Sequence, residues 1–94
     1  MSKYEMPRKR ILCADGFSMS VQASGVHYCE PPVTGLGFYS KYEVGFPSVP
    51  HWALGPYAND PDNPTETVYG WVPVEVIAQV VADHGGVVGE CEYE

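Results

Sequence analysis

Phe17-Ser-Met-Ser-Val-Gln-Ala-Ser24 alternates apolar and polar residues without a break. Phe17, Met19, Val21 and Ala23 fall on one side and Ser18, Ser20, Gln22 and Ser24 on the other, the period of two that a β-strand imposes. Directly before it stands Asp15-Gly16, a two-residue hairpin signal, because both central positions of a type I′ turn need positive φ. Arg10-Ile-Leu-Cys-Ala14 supplies the partner strand. A hairpin therefore seeds an antiparallel sheet, and the rest of the chain has to be fitted around it.

Downstream, Gly25 to Phe38 is rich in Gly and Pro and reads as a long loop carrying His27-Tyr28-Cys29-Glu30-Pro31-Pro32. Tyr39 to Phe46 alternates again, with Tyr42, Val44 and Phe46 inward, and Pro47 ends it. A second irregular stretch, Ser48 to Glu66, holds Trp52 and Tyr57 among several prolines. Loops this long are uncommon in compact domains unless they bind something. Thr67 to Val72 reads as a short strand. Pro73 then opens a helix, with Glu75 near its positive end and Val74, Ile77, Val80 and Val81 as a stripe at helical spacing. Gly85-Gly86 follows His84 as a left-handed stop, and Val87-Val88 begins an edge strand. The expected fold is α+β: a small antiparallel sheet of about four strands, one C-terminal helix packed on one face, and long Gly/Pro-rich loops. The expected organisation is a flexible basic leader over 1–9 and a single domain over 10–94.

Ninety-four residues suffice for one small domain, and 45% apolar content is enough for a core. The net charge is −7. Its distribution is uneven: Lys3, Arg8, Lys9 and Arg10 lie in the first ten residues, and from Ile11 onward Lys41 alone faces eleven acids. Such a body repels polyanions, so duplex nucleic acid is an unfavourable partner. With no apolar run near the ~20 residues of a membrane span and no signal-peptide core, a cytosolic, membrane-free protein is expected. Three cysteines cannot all pair within one chain.

Catalytic and metal signatures are sparse. Neither Cys-x2-Cys nor His-x3-His occurs, so no structural zinc site and no cofactor are expected. Asp60-Pro-Asp62-Asn63 echoes the start of a calcium loop but lacks its central Gly and terminal Glu. His27 and Cys29 are the nearest approach to a base and nucleophile, without a third group to orient them. No catalytic residue is assigned. The polar row on the second strand, the aromatic residues Tyr28, Tyr39, Trp52, Tyr57 and Trp71, and the scattered cations suit a small nucleotide better. Stacking, polar readout and phosphate neutralisation then fall to Tyr28, to Gln22 and His27, and to Arg10 or Lys41.

The strings Ser20-Val-Gln-Ala-Ser24, His27-Tyr-Cys-Glu-Pro31, Tyr42-Glu-Val-Gly-Phe-Pro-Ser48, Val68-Tyr-Gly-Trp-Val-Pro-Val-Glu75 and His84-Gly-Gly86 resemble a group of short phage and prophage proteins. The resemblance carries no catalytic or binding residues. It implies a setting, the cytoplasm of an infected host, where small acidic phage proteins often act as counter-defence factors. The expected function is a non-enzymatic protein that sequesters a nucleotide-derived immune signal, a cyclic nucleotide or ADP-ribose derivative. Two alternatives stand beside it. One is an acidic inhibitor bound directly to a host defence protein, in the manner of anti-CRISPR proteins. The other is a small enzyme that degrades the signal. A second copy of the chain is a further candidate partner.

Overall fold

The structure, a computed structural model, describes residues 8–91. Five strands form one antiparallel sheet: β1 (Arg10–Cys13), β2 (Ser18–Gln22), β3 (Lys41–Gly45), β4 (Val68–Pro73) and β5 (Val87–Cys91). They are ordered β4-β3-β2-β1-β5. Between β4 and β5 runs the helix α1 (Val74–Asp83). The expected count of about four strands is one short, because Val87 to Cys91 pairs along β1 over its whole length. Most of the leader, residues 1–7, and the last three residues, 92–94, lie outside the described residues. Arg8 is tied down: its backbone N–H and C=O both bond the Gln22 side-chain amide at 2.8 Å.

The β1–β2 hairpin closes differently from the expected type I′ turn. Cys13 N–H donates to Phe17 O at 2.8 Å and Gly16 N–H to Cys13 O at 3.0 Å, enclosing a three-residue loop. Gly16 has φ +95°, and no other residue of the loop has positive φ. Asp15 stays on the ordinary side because its carboxylate accepts the Phe17 N–H at 2.9 Å. This is the three-residue hairpin with glycine in the left-handed closing position.

Register places Ile11 beside Met19, Val21 beside Val44 and Tyr42 beside Val72, so these side chains share one face. Met19, Val44, Leu54, Val72 and Val80 are fully buried in the core on that face. From α1, Val80 enters the core, with Val76, Ile77 and Val81 around it. Each such burial stabilises the fold by about 1.5–3 kcal/mol. Leu54 pins the second long loop, which coils into a 3-10 helix at Trp52–Tyr57. Pro73 caps α1 rather than entering it, and Gly85 and Gly86, at φ +89° and +88°, end the turn after it.

The opposite face corrects two expectations. Ser20, Gln22 and Ser24 are buried rather than solvated. The Gly25–Tyr39 loop folds back towards the sheet: Tyr28 N–H donates to Glu43 Oε1 at 2.9 Å, and Tyr28 O accepts the Trp71 N–H at 2.9 Å. Ala23, Cys29 and Tyr39 make a second small core, with Tyr42 packed against it. Phe46, expected inward, is exposed, because a left-handed backbone at φ +51° breaks the alternation there.

Candidate functional site

One irregularity in β4 builds the site. The β3–β4 register shifts between Tyr42 and Val44, so Gly70 and Trp71 together oppose Glu43. Extra residues of this kind bend a strand and re-aim its side chains. Trp71 accordingly has φ +50° and its indole is exposed. Gly70 lets the loop approach closely: a Cβ there would meet Tyr28 Cβ at 3.3 Å. The Tyr28 ring lies on Trp71, with centroids 4.9 Å apart and planes 22° apart.

This aromatic pair forms one wall of an open cleft of about 460 Å³, whose lining also includes Lys41, Tyr57, Asn59 and Gly70. That volume lies within the usual range for small-molecule sites. Two ring-to-ring contacts of about 3.5 Å would be needed to hold a base between the aromatics, more than their spacing allows. Only the outer faces of the pair are therefore open to a planar group. Lys41 forms no ion pair among the described residues. Tyr57 and Asn59, from the second loop, also line it.

Two of the five expected site residues, Tyr28 and Lys41, thus come together, and three lie elsewhere. Arg10 donates to Ser18 O at 3.0 Å and Phe46 O at 2.7 Å, and so ties β1 to the ends of β2 and β3. Gln22 is committed to Arg8 and to Ser20 Oγ. His27 Nδ1 lies 2.6 Å from Ser24 Oγ. Asn59 and Gly70 carried no signal specific enough to place them. A glycine inside a strand pattern does suggest a bulge, which was the legible clue.

No family model, curated protein or solved structure matches this chain.

The arrangement of the nucleophile candidates can be described in the same terms. Cys29 is buried and its thiol donates to Ser24 O at 3.1 Å, while His27 bonds the Ser24 hydroxyl, so the two are not joined. Burial, with Asp15 nearby, pushes the Cys13 thiol up from its ordinary value. A separate pair lies at the far end of the molecule: His84 Nδ1 bonds Asp15 Oδ2 at 2.8 Å, and the imidazole stacks flat on Phe17 at 3.9 Å. The His84 hydrogen bond, helped by the Phe17 N–H, holds the Asp15 carboxyl below its usual range. His84 Nε2 is buried without a partner. Among the described residues no group of three or more His, Cys, Asp or Glu could hold a metal ion, and no helix is long and apolar enough to cross a membrane.

Proposed function

We propose that this chain is a viral counter-defence protein that captures a nucleotide-type immune signal intact in the Tyr28–Trp71 cleft, without cleaving it. The observation that carries the reading is the convergence of an exposed aromatic pair, an unpaired lysine and two neutral polar side chains in one cleft. Four segments contribute: the first long loop, the start of β3, the β4 bulge and the 3-10 helix with its exit. The phage resemblance supplies the setting, and the ligands it favours are cyclic nucleotides and ADP-ribose derivatives.

Losing a stacked aromatic costs about 1–3 kcal/mol, and about 1.4 kcal/mol is a tenfold change in affinity. Calorimetry with a panel of cyclic nucleotides and ADP-ribose derivatives is the direct test. Tyr28→Ala and Lys41→Ala should each weaken binding at least tenfold while thermal unfolding stays cooperative. Ligand released by heat should be chemically unchanged. A panel without a single binder refutes capture for those classes, and a degraded ligand moves the assignment to the enzymatic alternative.

A second reading, direct inhibition of a host protein, has its own observation. Trp52 is 77% exposed beside an apolar groove formed with Ala53, Pro56 and Val76, flanked by Glu75. Native mass spectrometry of protein purified from defence-active cells separates the two readings. A retained small molecule supports capture, and a stoichiometric host protein supports inhibition.

A further inference from the structure

We infer that the ligand of the Tyr28–Trp71 cleft carries a single negative charge, as a mononucleotide phosphodiester does, and is neither a phosphate monoester nor a diphosphate. The inference rests on the capture reading and narrows it to cyclic mononucleotides, because ADP-ribose derivatives carry a diphosphate.

Anion recognition needs cations or free backbone N–H groups. Among the described residues Lys41 is the one Lys or Arg lining this cleft. Arg10 is held by Ser18 and Phe46, and Arg8 and Lys9 line a different cleft, where the Arg8 guanidinium lies 5.8 Å from the Tyr39 ring centre. From Tyr42 to the end of the chain there is no Lys or Arg.

The backbone offers little more. Trp71 N–H is donated to Tyr28 O, Asn59 N–H to Val68 O, Ala58 N–H to Gly55 O and Lys41 N–H to Glu30 O. Tyr28 N–H is taken by the Glu43 carboxylate, and Pro56 has no N–H to give. Of the lining residues only Tyr57 and Gly70 are left, and since they are not consecutive they build no phosphate-cradling nest of successive amides. Among the described residues, charge compensation is thus left to one ammonium.

Acidic residues neighbour the lining residues of the cleft. Glu30 pairs with Lys41 across an antiparallel bridge, so the two side chains leave the same face of the ladder. Glu43 lies under the Tyr28 backbone, and Asp60 follows Asn59. A second negative charge on the ligand would find no further cation among the described residues that line the cleft. A terminal phosphate carries about −1.5 to −2 at neutral pH, whereas a diester carries one charge and matches one lysine. The neutral parts of the ligand, ring and ribose, have the aromatic face and, beside it, Tyr57 and Asn59.

Calorimetry at fixed ionic strength tests this with four probes in each of the adenine, guanine and uracil series. They are the nucleoside, the 3′,5′-cyclic monophosphate, the 5′-monophosphate and the 5′-diphosphate. In the series that binds, the cyclic compound should exceed the nucleoside at least tenfold and the two more highly charged probes at least threefold. Lys41→Met, checked for folding by near-UV circular dichroism, should bring the nucleoside and the cyclic compound to equal affinity. A 5′-monophosphate or diphosphate that binds as tightly as the cyclic compound overturns the single-charge inference and leaves capture standing. Preference for the cyclic compound that survives Lys41→Met also overturns it. Absence of binding throughout all three series refutes mononucleotide capture and this inference with it.

Discussion

His84 and Asp15 illustrate how far one side chain can tie together remote parts of so short a chain. Asp15 sits in the first hairpin and His84 at the end of α1, yet their 2.8 Å contact joins the two. With its carboxyl held below the ordinary value, Asp15 favours the folded state in its ionised form. A depressed carboxyl contributes stability above the unfolded-state pKa, and loses it as pH falls through the folded one. The wild type should therefore lose this contribution on acidification below the usual carboxylate range. Asp15→Asn should lack that acid-dependent component, so the gap between the two proteins narrows as pH drops. Thermal melts taken across pH 2–7 measure the gap, and a constant offset would show that Asp15 does not contribute through its charge. Arg10 and Gln22 teach a related lesson. Polar residues on an alternating strand looked available for a ligand, but each is used to fasten backbone: Gln22 holds Arg8, and Arg10 holds Ser18 and Phe46.

The first hairpin carries the register of everything beside it. β1 pairs with both β2 and β5, so an error at its turn spreads across half the sheet. Gly16 at φ +95° meets nothing within 4 Å of where a Cβ would stand. Any cost of substitution there is backbone strain and not collision. Gly16→Val should lower stability by about 1–3 kcal/mol, and Gly16→Asn by less, because asparagine tolerates left-handed backbone far better than a β-branched residue. Denaturant titration ranks the three proteins, and an unshifted midpoint for the valine variant would remove the turn from the list of register determinants. The β4 bulge is the functional counterpart of this turn. It places Gly70 under Tyr28 and turns Trp71 outward, so one register shift produces both the close approach and the aromatic platform.

Taken whole, the molecule is an anion with a small cationic site. At net −7 it repels an anionic ligand over distances longer than the reach of Lys41. Salt screens that repulsion, with a Debye length near 10 Å at about 0.1 M. The association rate for an anionic nucleotide should consequently rise between low salt and about 0.1 M, opposite to the behaviour of a basic nucleic-acid binder. Stopped-flow fluorescence from Trp71 follows it. A rate that falls with added salt would mean that the local field of Lys41 outweighs the charge of the body.

Hairpin, helix and edge strand were legible because their signals are local: an alternation of period two, a proline ahead of a valine stripe, and paired glycines after it. Each depends on residues within a few positions of one another, and backbone sterics act at that range. The turn type was not legible, since the Asp15 bond to Phe17 competes with the geometry that Asp-Gly otherwise favours. The solvent exposure of the serine row was not legible either, because whether a face is wet depends on where a distant loop comes to rest. Of the expected ligand residues, Tyr28 and Lys41 meet in the cleft while Arg10, Gln22 and His27 serve other contacts. Stacking and charge pairing act between side chains brought together from residues 28, 41, 59 and 71, and nothing in the intervening sequence encodes those distances. Secondary structure follows from neighbours along the chain. The cleft exists because the first loop folds back over a bulged strand, and that is a property of packing.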